Sequence, residues 1–108
     1  MTNSLGSVKI ARLDEVEPGK VKVFNLGQEA IALCNVDGKI YAVKDVCTHD
    51  DGPLGDGDLE GYNIVCPRHG AEFDVRTGKV VQMPAVVDIP AYPIRVVEGM
   101  IQVGVPKE

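Results

Sequence analysis

The sequence lacks the features that would direct it to a membrane, a secretory pathway or nucleic acid. No apolar run approaches the roughly 18 residues that a membrane-spanning helix requires. Residues 1–6 contain no basic segment followed by an apolar stretch, which a signal peptide would have. The formal net charge of −5 disfavours nucleic acid and anionic membranes as partners. We therefore expect a soluble, cytoplasmic monomer that binds neither.

Residues that carry redox or metal chemistry are scarce, with three cysteines and two histidines in 108 residues. If two of the three cysteines bind a metal, the third is left alone and no disulfide framework exists, which fits a reducing compartment. Cys34 follows the apolar run 31–33, which predicts a buried core thiol. No dinucleotide fingerprint is present, because Gly55, Gly57 and Gly61 lie in an acidic stretch and not at a strand-to-helix turn.

The hydrophobic pattern predicts a single all-β domain over residues 1–108, with no amphipathic helix of ten or more residues. Asp37-Gly38 and Glu98-Gly99 separate apolar runs and therefore predict two hairpin turns. Residues 50–61 are rich in glycine and acidic side chains, and we expect them to form a loop without regular structure. The predicted strands are 8–13, 21–26, 30–36, 39–46, 62–65, 72–75, 79–82, 94–97 and 100–105.

Four residues near the middle of the chain form two short pairs, Cys47 with His49 and Cys66 with His69. Their spacing lets each pair share one tight loop, so that two thiolates and two imidazoles can bind one inorganic centre. A zinc finger with these ligands normally groups its cysteines together and its histidines together. Here each loop supplies one of each, which favours another centre, although a structural zinc module remains an alternative.

The order C-x-H followed by C-x-x-H resembles the Rieske [2Fe–2S] motif, and Thr48, Pro67 and Gly70 match it as well. The resemblance covers the whole chain. It implies a Rieske fold, in which a smaller cluster-binding lobe, here at about residues 45–83, is inserted into an antiparallel β-sandwich base. Pro84 is the candidate for the proline-bearing loop that covers the cluster in this family.

The resemblance also implies the cofactor and its ligands. It predicts one [2Fe–2S] cluster per chain, with Cys47 and Cys66 on one iron and His49 and His69 on the other. All four residues are therefore the predicted metal-binding and cofactor-binding residues, and we predict no catalytic residue.

Second-sphere positions differ from those of the high-potential Rieske proteins of respiratory complexes. Gly52 and Arg68 stand where those proteins have two further cysteines, so no disulfide can join the two loops. Ala71 and Phe73 stand where those proteins have serine and tyrosine hydroxyls. Missing donors to sulfur disfavour the more negative, reduced state, so we expect a potential of about −150 mV and not one near +300 mV.

The pattern resembles, in particular, the Rieske-type ferredoxins of multicomponent aromatic-ring dioxygenases. This implies a one-electron carrier between a flavin-dependent ferredoxin reductase and a terminal oxygenase. We expect no enzyme activity of its own, because no histidine remains for a two-histidine, one-carboxylate iron site after His49 and His69 are assigned. The alternatives are the small Rieske subunit of an assimilatory nitrite reductase and the ferredoxin of a toluene-type monooxygenase.

Overall fold

Short antiparallel strands make up most of the chain. The computed structural model describes residues 5–26, 29–46, 54–55, 57–67, 70–83 and 87–106. Within these ranges the strands are β1 (Leu5–Arg12), β2 (Val21–Leu26), β3 (Glu29–Val36), β4 (Lys39–Lys44), β5 (Asp58–Glu60), β6 (Asn63–Val65), β7 (Glu72–Asp74), β8 (Val80–Gln82), β9 (Ala91–Tyr92), β10 (Ile94–Val97) and β11 (Met100–Pro106). A 3-10 helix spans Leu13–Glu15. The all-β prediction is confirmed, and no described helix is long and apolar enough to cross a bilayer.

The strands form three antiparallel sheets, in the orders β1-β11-β10, β2-β3-β4-β9 and β5-β6-β7-β8. The second sheet is the middle layer, because β3 is buried on both faces. Ile31 and Leu33 pack into a core with Ile101 of the first sheet. Ala32 and Cys34 pack into a second core with residues of the third sheet. The first two sheets form the base, and the small third sheet lies within the predicted lobe at residues 45–83.

Both predicted hairpin turns are present. Asp37 and Gly38 have φ of 53° and 92°, and Glu98 and Gly99 have φ of 52° and 78°. Two successive residues with positive φ are the requirement of the turn that matches the twist of paired strands. These turns join β3 to β4 and β10 to β11.

The prediction of an irregular loop over residues 50–61 is wrong at its end, where β5 pairs with β6. Asp58 and Glu60 are exposed while Leu59 packs against the core, so this strand alternates in spite of its glycine-rich and acidic surroundings. The strand β9 was also missed, because Pro90 and Pro93 flank its two residues. Other predicted bounds lie within two residues of those observed, apart from β1, which begins three residues earlier.

A bulge in β1 explains two adjacent apolar residues that strict alternation would not place together. Lys9 pairs with Gln102 and Ala11 with Ile101, so Ile10 is an additional residue in the strand. Ala11 is buried and Ile10 packs against the same core. The bulge lies in the pairing between β1 and β11, which brings the two ends of the described chain together.

Candidate metal centre

One of the four predicted ligands, Cys66, lies in the part of the chain that the structure describes. The other three predicted ligands and four of the related positions lie outside the described residues: Cys47, Thr48, His49, Gly52, Arg68, His69 and Pro84. Among the side chains that are described, no group of three or more His, Cys, Asp or Glu is placed to hold a metal ion. The assignment of the four ligands therefore stays a prediction.

Cys66 lies at the start of the tight connection between β6 and β7. Its N–H donates to the carbonyl oxygen of Ala71 at 2.7 Å, and the N–H of Gly70 donates to the carbonyl oxygen of Cys66 at 3.1 Å. The thiol is not part of a disulfide, and only 1% of the residue is exposed. These bonds fix the backbone of Cys66 at the base of the loop that also contains motif position 69.

The surroundings of Cys66 are apolar. It belongs to the same core cluster as Leu54, Ile64, Ala71 and Phe73, all of which are fully buried. The position of Cys66 fits a cysteine ligand at the end of a short hairpin.

Cys34 occupies a different environment, although it belongs to the same core cluster. It lies on the central strand β3 and is completely buried. Burial, and secondarily the Asp45 carboxylate, raises the pKa of its thiol from 9.0 to about 12. The thiolate is the form that binds metals. Cys34 is therefore a protonated core side chain, as the sequence predicts.

Asp45, which the sequence motif does not single out, closes the base of the segment that contains Cys47 and His49. Asp45 follows β4, and its Oδ1 atom accepts hydrogen bonds from the N–H groups of Leu54 and Gly55, each at 2.7 Å. The sequence does contain a signal for such a role, since an aspartate two residues before the first predicted ligand can accept hydrogen bonds from nearby backbone N–H groups. The partners nine and ten residues away could not be read from it.

The segment that follows residues 84–86 is fixed in a similar way. The Oδ1 atom of Asp88 accepts a hydrogen bond from the N–H of Val80 at 2.9 Å. The N–H of Ile89 donates to the carbonyl oxygen of Gly78 at 2.8 Å. This chain segment is thus attached to the turn between β7 and β8, close in sequence to the predicted covering loop at Pro84.

The outer face of the third sheet is acidic. Residues opposite one another in an antiparallel sheet share a face, and the register places four carboxylates on the side away from the core: Asp58, Glu60, Glu72 and Asp74. Arg76 binds Asp74 through two nitrogen–oxygen contacts of 3.1 and 2.8 Å and lies 4.0 Å from the centre of the Tyr62 ring. These hydrogen bonds lower the pKa of Asp74. Among the described residues, this face therefore carries four carboxylates, one of which is paired with Arg76.

Comparisons with known proteins identify relatives of this chain. The family model described as Rieske [2Fe–2S] domain matches residues 6–93. The chain is 40% identical over 89 residues to the ferredoxin component of the naphthalene 1,2-dioxygenase/salicylate 5-hydroxylase systems of Ralstonia sp.. The aligned region covers 82% of this chain and 86% of that protein.

Solved structures give the same fold. One is a chain from the complex of reduced oxygenase and oxidized ferredoxin in carbazole 1,9a-dioxygenase, with a TM-score of 0.86, 32% identity, and coverage of 94% of this chain and 95% of that one. Another is a protein from Mycobacterium tuberculosis assigned as the small subunit of an NADH-dependent nitrite reductase. Its TM-score is 0.87 with 98% of this chain and 100% of that one covered, but at 23% identity the likeness concerns the fold alone.

Proposed function

This chain belongs to the Rieske [2Fe–2S] domain family, and from that premise we propose that it is a one-electron carrier of an aromatic-ring dioxygenase system. Family membership confirms the predicted Rieske fold and the predicted [2Fe–2S] cofactor. The zinc alternative is not supported, because the matching family is defined by an iron–sulfur cluster.

The four motif residues are the proposed ligands. Cys47 and Cys66 would hold one iron through thiolates, and His49 and His69 the other through imidazoles. When bound, the cluster supplies a site that gains and loses one electron. The burial of Cys66 and the two backbone bonds that close its loop support this assignment, because a rigid, dry ligand position resists loss of the metal.

The proposal of a carrier without its own catalytic site rests on one observation above the others. The relative from Ralstonia is named a ferredoxin component, and the match extends over most of both chains. The match thus covers most of a protein that is named as a ferredoxin component. The two histidines of the sequence are both assigned to the cluster, which leaves none for a separate catalytic iron site.

Two partners follow from this role. The first is a terminal oxygenase, which is supported by the structure of an oxygenase with its ferredoxin in the carbazole system. The second is a flavin-dependent ferredoxin reductase, which must supply the electron. The acidic outer face of the third sheet suits a partner with a basic surface, because complementary charge accelerates encounter without requiring tight binding.

Electron transfer to a co-encoded oxygenase tests the proposal. The purified protein should show the visible absorption and electron paramagnetic resonance signals of a Rieske cluster. Once reduced, it should be reoxidised rapidly on mixing with the terminal oxygenase encoded nearest to it, and it should run as a free monomer between turnovers. A protein that contains zinc and gives no resonance signal would contradict the proposed cofactor. Stable co-purification with a flavin- and haem-containing subunit would favour the nitrite reductase alternative.

A further inference from the structure

The side chain of Asp45 connects the two ends of one predicted ligand loop. The residue follows β4 and is half-buried, and its own N–H donates to the carbonyl oxygen of Ala30 on the neighbouring strand at 2.9 Å. Its Oδ1 atom accepts from the N–H groups of both Leu54 and Gly55 at 2.7 Å. The carboxylate thus joins the point where the chain leaves the base to the point where it returns.

The return point is also seated against the base. A Cβ atom built on Gly55 would lie 2.1 Å from the Cγ2 atom of Val23 on β2, so the backbone of Gly55 packs directly on that side chain. Leu54 is completely buried in the core that contains Cys66. Together with the Asp45 bonds, these contacts fix the position of residues 54 and 55 relative to the middle sheet.

Closure at Asp45 constrains the residues between the two ends whatever path they follow. The segment 46–53 contains Cys47 and His49, which are two of the four proposed ligands. One Asp45 oxygen that accepts two short hydrogen bonds from backbone N–H groups holds both ends of this segment in place. A loop whose ends are held in this way loses less conformational entropy when its ligands bind a metal centre.

We propose that Asp45 is a positioning residue for the cluster: its carboxylate oxygen holds residues 54 and 55 to the end of β4, and so favours cluster binding by Cys47 and His49, which lie between these points in the sequence. The inference rests on the proposed ligand set. The essential property is an oxygen acceptor at the Oδ1 position, because both bonds go to that atom, and not the negative charge.

Three variants of the cluster-loaded protein separate this role from general stability. Asp45→Ala removes the acceptor, and Asp45→Asn keeps an acceptor oxygen without the charge. Asn35→Ala is the matched control, because the buried Asn35 side chain also makes two hydrogen bonds of 2.7 Å, with the carbonyl oxygen of Val16 and the N–H of Gly38, both in the base. Cluster loss to an excess of iron chelator is followed by visible absorbance, well below the melting temperature of each variant.

The acceptor role predicts that Asp45→Ala loses its cluster about tenfold faster than the wild type or more. Asp45→Asn should stay close to the wild type, and Asn35→Ala should lower the melting temperature without accelerating cluster loss. Equal acceleration in Asn35→Ala would overturn the proposal in favour of a merely structural role. Equal acceleration in Asp45→Asn would overturn it in favour of charge.

A second set of variants approaches the same contact from the base and does not require Asp45→Ala to fold. Gly55→Ala should accelerate cluster loss, because its Cβ atom meets Val23 and displaces the N–H groups that Asp45 binds. Adding Val23→Ala removes the interfering Cγ2 atom and should restore the wild-type rate. Failure of this restoration, in a folded double variant, would contradict the proposed seating of the loop. A wild-type protein without a Rieske spectrum would instead contradict the proposed function itself.

Discussion

Replacing Cys34 with alanine should remove an alkaline weakness of the fold. The thiol is completely buried on the central strand, and burial, then the Asp45 carboxylate, raises its pKa from 9.0 to about 12. In the unfolded chain the thiol ionises near pH 9, whereas in the folded protein it stays neutral up to about pH 12. Its contribution to stability is therefore fully present below pH 9 and is lost as the pH rises towards 12.

The size of this effect follows from the two pKa values. Their difference corresponds to roughly 4 kcal/mol in the free energy of unfolding, lost at about 1.4 kcal/mol for each pH unit above 9. Alanine cannot ionise, so the Cys34→Ala variant should lack this loss. Other groups that titrate in alkaline solution, such as Tyr92, are common to both proteins and cancel when the two curves are subtracted.

The assay is chemical denaturation of wild type and Cys34→Ala at several pH values from 7.5 to about 11, followed by circular dichroism. The difference in unfolding free energy should be constant up to pH 9 and should then shift in favour of the variant. A difference that does not change between pH 8 and pH 11 would refute the reasoning, because it would mean that the buried thiol ionises as readily as an exposed one.

Two further predictions concern the cluster potential and the lobe. Phe73 is fully buried in the same core as Cys66. Phe73→Tyr should raise the midpoint potential by on the order of 50 mV in voltammetry, because a hydroxyl donor near a cysteine ligand stabilises the reduced state. An unchanged potential in a folded, fully loaded variant would argue against this effect of the hydroxyl. Gly78→Ala should destabilise the protein by at least about 2 kcal/mol more than Gly61→Ala in denaturant titrations. A Cβ atom at Gly78 would lie 1.9 Å from the carbonyl oxygen of Ile89, whereas a Cβ atom at Gly61, which also has a positive φ, would meet open space. Equal losses for the two glycine variants would show that the contact with Ile89 relaxes.

Much of the fold could be predicted because its signals are local. The turn at Asp37-Gly38 needs two residues that accept positive φ, and the sequence supplies them in place. The short strand β9 could not be predicted in this way. Its two residues lie between prolines and become a strand only because Ala42 and Val43 of β4 offer an edge to pair with. Such pairing depends on residues almost fifty positions apart, which a local pattern does not contain.

The candidate site likewise has one part that the sequence predicts and another that it does not. The identity and spacing of Cys47, His49, Cys66 and His69 are properties of the sequence, and their resemblance to the Rieske motif predicted the cofactor that the family match confirms. The contacts that support the site cannot be predicted from the sequence in this way. The bonds from Leu54 and Gly55 to Asp45 join residues that no periodicity links.

By itself, the sequence determined which residue types are available as metal ligands, which turns reverse the chain, and which runs are apolar enough to be buried. Only the tertiary structure decided where those parts meet, including the pairing of β1 with β11 and the middle sheet shared by two cores. The physical reason is that ligand type and turn geometry depend on neighbouring atoms along the chain. Burial and sheet pairing depend instead on which distant segments exclude water from one another.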